Sequence, residues 1–214
     1  TSNFIEKGIR PVYVFDGAPP AFKQATIDQR RMDRARAHAR WEEALEKGEV
    51  AEAYKQARSA SKVDEEVIAT SKALIRLLGL PVVDAPSEGE AQAAAMVCQG
   101  AARYVVSQAY DTLLFGSPLL VRNLTVSGKR KLHGRTISVA PERIVLSEVL
   151  KGLRLDRDDL IRVGILIGTD FNEGARGIGA KTALKIVRKG EFEATVGERL
   201  PGLDCEAVMD FFRQ

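Results

Sequence analysis

"LPVVDAPSEGEAQAAAMVCQGAARYVVSQ", residues 80–108, holds two short apolar runs on either side of an alanine-rich segment. "LPVVDAP" (80–86) is a short β-branched run ending in an acid, and "RYVVSQ" (103–108) is another apolar run. Between them "SEGEAQAAAMVCQG" (87–100) is an alanine-rich helix stopped by Gly100. Strand, helix, strand implies an α/β class, a mostly parallel sheet covered by helices. Ligands of such sheets bind beyond the carboxyl ends of the strands, so chemistry is expected just past each run.

Toward the N-terminus, "PVYVFDG" (11–17) repeats the pattern, a β-branched and aromatic run closed by Asp16-Gly17 and stopped by Pro19-Pro20. Residues 22–58 are dominated by Ala, Arg, Glu, Lys and Gln, good helix formers with few large apolar side chains. Gly48 divides this segment into two helices, and so polar a hairpin is expected to project from the core as an arch. Val63, Val67, Leu74 and Leu78 recur at helical spacing before Gly79 and Pro81 end the helix.

Toward the C-terminus, "SPLLVRNLT" (117–125) continues the sheet and "SGKRKLHGRTISV" (127–139) reads as a basic hairpin. The remainder reads as helix: 141–150, 156–168 and a stretch around "GARGIGAKTALKIVRKG" (174–190). With 214 residues, 45% of them hydrophobic, the chain can bury a core of its own. Two cysteines, Cys98 and Cys205, show no CxxC spacing and read as small core residues of an intracellular protein, not as a zinc site or disulfide. No apolar run reaches the 18 residues of a membrane span, and the opening "TSNFIEKGIR" does not resemble a leader. The net charge of +3 means that affinity for nucleic acid must come from segregated charge.

The acids are segregated. Asp16 follows the first run directly, Glu88 and Glu90 follow the next by a few residues, and Asp111 follows the third. Asp170, ending the apolar "IRVGILIGTD" (161–170), adds a fifth to the same rim. Ordinary accounts exist for several: Ser87 and Glu90 fit a capping box, Asp16 a turn, Asp170 a helix end. As a set they need more, because two like charges about 4 Å apart repel by roughly 4 kcal/mol at an effective dielectric near 20. An oxygen-only ligand set without His or Cys selects hard ions, Mg²⁺ with Mn²⁺ as a substitute. Two such ions are the usual device for phosphodiester hydrolysis.

Basic elements accompany the acids. Lys23, Arg30 and Arg34 fall at spacings of seven and four, on one face of the first arch helix; the alternative is a solvated face with intrahelical pairs to Asp28 and Asp33. In "GARGIGAKTALKIV" (174–187), Gly177 and Gly179 form a tight turn that opens a helix containing Lys181. That is a helix-hairpin-helix-like signal for gripping duplex DNA, against the alternative of a plain connection.

"VYVFDG" followed by two prolines, "DAPSEGEAQAA", "SQAYDTLLFG" and "LIGTDFNEGARGIGAKTALKIV" together resemble the structure-specific flap endonucleases of the replication and repair nuclease superfamily, in their archaeal form. The resemblance covers essentially the whole chain as one nuclease domain, 1–214, with the arch at 22–58 and a duplex-binding helical region at 141–190. It implies that Asp16, Glu88, Glu90, Asp111 and Asp170 hold two Mg²⁺ ions, and that Lys23 and Arg30 steer the scissile phosphate. It also implies that Gly177, Gly179 and Lys181 hold the duplex with help from K⁺, and that a monomer cuts flapped or branched DNA beside a sliding clamp bound through a C-terminal tail. The expected setting is cytoplasmic, on the nucleoid, without membrane contact.

Two departures from the family pattern matter. Ala109 stands where the pattern carries an acid, leaving Asp111 alone of a DxD pair, so cleavage is expected to be impaired. The ends differ too: Thr1 corresponds to a point inside a family helix and "DFFRQ" precedes the family's closing helices, so the chain reads as a fragment expected to fold poorly alone. A catalytically silent junction-binding protein is one alternative function, and a related 5′ exonuclease or Holliday-junction nuclease another.

Overall fold

The computed structural model describes residues 1–60, 63–124, 128–132 and 135–214. The chain divides into two compact units, Thr1–Tyr13 with Pro20–Val83, and Val14–Pro19 with Asp84–Gln214.

The first unit carries α1 (Ser2–Glu6), the start of β1 (Tyr13–Phe15), α2 (Gln24–Glu46), α3 (Val50–Ala60), α4 (Glu65–Leu77) and most of β2 (Val82–Asp84). Gly48, at φ +69°, makes the expected break between α2 and α3, a backbone state that costs glycine nothing. The two helices pack through small side chains: Ala37 and Ala44, two turns apart, are buried on α2, and Ala53 is buried on α3. Much of α2 is polar and satisfies itself along the helix, with Gln24 donating to Asp28, Gln29 to Asp33 and Lys47 to Glu43. Asp64 caps α4 by accepting from the Val67 N–H at 2.8 Å. The spacing located this helix, yet Val67, Leu74 and Leu78 are exposed and Ile75 is its buried residue.

The second unit contains α5 (Gly89–Cys98), β3 (Val105–Val106), α6 (Asp111–Leu114), β4 (Leu119–Arg122), β5 (Gly128–Leu132), β6 (Arg135–Val139) and β7 (Glu142–Val145). Helices α7 (Leu146–Leu153), α8 (Arg157–Ile167), α9 (Ala180–Arg188), α10 (Phe192–Arg199) and α11 (Cys205–Arg213) follow. β3 runs parallel to β4, with Val105 opposite Leu120. Buried Val105, Leu113, Leu120 and Leu146 form a core against which Ala93 and Val97 of α5 pack. The predicted basic hairpin is the antiparallel pair β5/β6, although residues 127, 133 and 134 of that reading lie outside the described ones.

Several readings need correction. The strands do not join one sheet: β1/β2, β3/β4/β7 and β5/β6 are separate, and β4/β7 is antiparallel. Glu142–Val145 is strand where helix was expected, because β4 supplies its ladder partners; α7 starts only at Leu146. The cysteines are both free thiols, as expected, but neither is a core residue: Cys98 is exposed and Cys205 half-buried. Burial, with the nearby acids Glu193, Glu206 and Asp204, pushes the Cys205 thiol up to about 11.

Candidate active site

All five acids belong to the second unit. Asp16 leaves β1 and its Oδ1 accepts the Gly89 N–H at 2.7 Å, at the first residue of α5. A Cβ on Gly89 would stand 2.9 Å from that same oxygen, so the glycine gives Asp16 its place. Gly17 is equally constrained: it donates to the Ser87 carbonyl at 2.6 Å, and a Cβ there would fall 2.1 Å from the Ala85 carbonyl oxygen.

The capping-box reading of "SEGE" is wrong. The N-cap is Glu88, not Ser87, and Glu88 makes no side-chain cap, which leaves Glu90 at the second helical position. Glu88 is only 8% exposed, too buried for an ordinary solvated helix-start acid. Glu90 instead accepts from the Ser107 hydroxyl at 2.7 Å, and that hydroxyl accepts the Ala109 N–H at 3.0 Å.

Asp111 is the first residue of α6. The strand exit that delivers it is held by Arg122, which donates from Nε to the Gln108 carbonyl at 3.1 Å and lies 4.0 Å over the Tyr110 ring. Arg122 also donates to the Tyr110 hydroxyl and pairs with Glu142 at 3.3 Å. Asp170 sits at the tip of a tight turn after α8 in which Thr169 and Asn172 bridge. Thr169 Oγ1 donates to Asn172 Oδ1 at 2.8 Å and accepts the Phe171 N–H at 3.1 Å, while Asn172 Nδ2 donates to the carbonyls of Ile165 and Glu173.

These elements meet around Glu90. Burial pushes its carboxyl above the ordinary value; the Ser107 bond opposes this, and the charges of Asp111, Asp16 and Asp170 add to it. Four of the five predicted acids therefore share one electrostatic neighbourhood, reached from four separate places in the chain. Among the described residues, no three His, Cys, Asp or Glu side chains already close into a cage for an ion. The donor chemistry fits a hard divalent cation: carboxylate oxygens only, mutually repelling, in a setting that disfavours the charge on Glu90.

Lys23, Arg30 and Arg34 lie in the first unit and Lys181 in the second. Lys23 ends a 3₁₀ turn at Ala21–Lys23, and Arg30 and Arg34 are on α2, where Arg34 Nε turns back to the Arg30 carbonyl at 3.1 Å. At the glycine turn, Gly177 has φ +82° and Gly179 is the N-cap of α9, its carbonyl accepting from Thr182 and Ala183. Lys181 is exposed in the first turn of that helix. Sequence reasoning missed Ser107, Arg122, Thr169 and Asn172, of which only Ser107 left a signal: it stands directly after the apolar run, two residues beyond Val105.

The flap endonuclease 1 of Methanoregula boonei is 63% identical over 210 residues, 98% of this chain and 63% of that protein. Two family models match, the XPG N-terminal domain at residues 1–37 and the XPG I-region at residues 79–170, together more than half of the chain. The chain belongs to the XPG family. Within it, the I-region match runs from the end of α4 to Asp170 and so includes Glu88, Glu90 and Asp111, while the N-terminal match holds Asp16, Lys23, Arg30 and Arg34. Among solved structures, flap endonuclease-1 from Methanococcus jannaschii superposes with a TM-score of 0.70 at 39% identity, covering 99% of this chain and 64% of that one. The catalytic core of Rad2 in complex with a DNA substrate shares the fold, with a TM-score of 0.69 at 22% identity over 99% of this chain and 66% of that one. The XPG chain described here thus spans somewhat under two thirds of the length of the curated relatives it matches.

Proposed function

We propose that the chain carries the catalytic apparatus of a structure-specific 5′ flap endonuclease, a hydrolase that cuts branched DNA in replication and repair. The observation that carries this is the convergence of Asp16, Asp111 and Asp170 on the half-buried Glu90. Carboxylates that penalise one another gain from a counter-ion, and a DNA backbone cannot supply one. Asp16, Glu88, Glu90, Asp111 and Asp170 are the residues proposed to hold divalent cations, two Mg²⁺ ions or Mn²⁺ in their place. When bound, these would activate a water and neutralise charge on the phosphodiester.

The chain's own groups have distinct tasks. Gly89 N–H orients Asp16, Ser107 orients Glu90, and the Thr169–Asn172 bridge presents Asp170. Lys23, Arg30 and Arg34 are proposed to bind substrate phosphates, with Lys23 and Arg30 offsetting charge that develops on the scissile one. The turn at Gly177 and Gly179, with Lys181 and a K⁺ ion, is proposed to hold the duplex by its backbone.

Ala109 supports a second reading, a junction binder that cuts slowly, since one expected carboxylate is missing beside Asp111. Restoring it separates the two. With labelled 5′-flap, nicked and four-way DNA in Mg²⁺, Ala109→Asp is expected to raise flap cleavage on the order of a hundredfold, the scale of regaining one charge-stabilising group. Equal rates for the two chains would remove the role assigned to position 109, and preference for the four-way junction would favour a resolving nuclease.

A further inference from the structure

Ser107 lies one residue beyond β3, and its position follows from the core. Val105 is buried in a cluster with Leu113, Leu120 and Leu146, and Ala93 and Val97 of α5 pack against that cluster. Two residues along a strand return to the same side, so Ser107 faces α5 as Val105 does. Glu90, Ala93 and Val97 are spaced by three and four, one face of the helix. With that face of α5 set on the core that holds Val105, the Ser107 hydroxyl meets Glu90 Oε1 at 2.7 Å.

A hydroxyl rotates freely unless something fixes its proton. Here the Ala109 N–H occupies the Ser107 oxygen as an acceptor at 3.0 Å, which directs the hydroxyl proton to the carboxylate. The donor at this relay is the backbone of residue 109, so the relay is indifferent to the side chain there. We infer that Ser107 is a positioning residue: by holding one oxygen of Glu90, it sets the orientation in which that carboxylate meets a divalent cation. This rests on the metal-dependent reading above and extends it to a residue that touches neither ion nor DNA. Partners that orient metal-binding side chains commonly alter affinity about 10- to 100-fold when removed.

The test is Mn²⁺ binding to the 214-residue chain, followed by the electron paramagnetic resonance signal of free Mn²⁺ without DNA. Ser107→Ala is expected to weaken binding about tenfold, the lower end of that range, and Ser107→Thr, which keeps the hydroxyl, to bind like the parent. Thermal melts in chelator read folding separately: a tenfold loss of Mn²⁺ affinity with an unchanged metal-free melt supports positioning. Binding unchanged in Ser107→Ala overturns this inference alone, as does loss of binding in Ser107→Ala that Ser107→Thr fails to restore. A parent chain that binds no Mn²⁺, or whose binding is untouched by Asp111→Asn, overturns the metal-dependent nuclease reading and this inference with it.

Discussion

Glu90 shows what it costs a protein to gather acids around a half-buried carboxyl. Its pKa is raised chiefly by burial, with Asp111, Asp16 and Asp170 adding to the effect against the Ser107 bond. A raised carboxyl destabilises the fold wherever the same group would be ionised in the unfolded chain. The penalty is absent below the ordinary carboxylate range, grows as pH rises through that range to the folded-state pKa, and stays in full above it. Glu90→Gln, which keeps an acceptor for Ser107, is therefore expected to raise the melting temperature in chelator at pH 7, and this gain should fade toward pH 4. Divalent cation should stabilise the parent more than the variant. Melts across pH with and without Mg²⁺ check this; a variant less stable than the parent at pH 7 in chelator would show that the charged form is the favoured one. None of this was visible in "SEGE", where spacing alone admitted a capping box equally well.

At the scale of elements, the turn after α8 does for Asp170 what Ser107 does for Glu90. Asn172, 8% exposed, ties the carbonyls of Ile165 and Glu173 with its amide and receives the Thr169 hydroxyl on its oxygen. Closure requires glycine at both ends: a Cβ on Gly174 would lie 2.0 Å from the Ile167 carbonyl oxygen, and Gly168 holds φ +105°. Asn172→Ala takes the amide donor from the carbonyl of buried Ile165, at a cost of about 1–3 kcal/mol. It should also lower cleavage by the Ala109→Asp chain more than it lowers DNA binding. Urea unfolding and single-turnover cleavage check both halves; full activity with reduced stability would make Asn172 structural only. The same scale explains Glu142–Val145, a strand because β4 offers it an antiparallel partner, a contact with no trace in local sequence.

Across the second unit, an aromatic cluster joins the acid-bearing pieces. Phe115 directly follows α6, which begins with Asp111, and Phe171 directly follows Asp170; their ring centroids are 6.0 Å apart. Phe211 and Phe212 of α11 pack on both, with Phe171 at 5.0 and 5.2 Å and Phe115 at 5.6 and 4.8 Å. Arg213 fastens the end of α11 to Asp158 of α8 at 2.7 Å. Such ring pairs, most of them edge-to-face, add to area burial, so the cluster stabilises the fold around the two segments that carry Asp111 and Asp170. Phe171→Ala is expected to cost about 3–5 kcal/mol. Phe171→Leu, which keeps much of the volume, should lose far less stability yet still reduce Mn²⁺ affinity if the cluster positions the two acids. Calorimetric melts and Mn²⁺ titration distinguish that from packing alone.

Local sequence was enough to single out the candidate groups. Acids at run ends, glycines before α9 and polar helix formers around Gly48 are local signals, because carboxylate chemistry, positive φ and helix propensity belong to single residues or short spans. It located α4 by spacing but misjudged its buried face, since burial depends on what covers a helix. Long-range packing was needed to bring Glu90 to Ser107 instead of Ser87, to join α6 and the Asp170 turn through phenylalanines, and to divide the strands among the described residues into three sheets. Those outcomes are contacts between residues far apart in the chain, formed when the apolar core closes, and no local pattern encodes them.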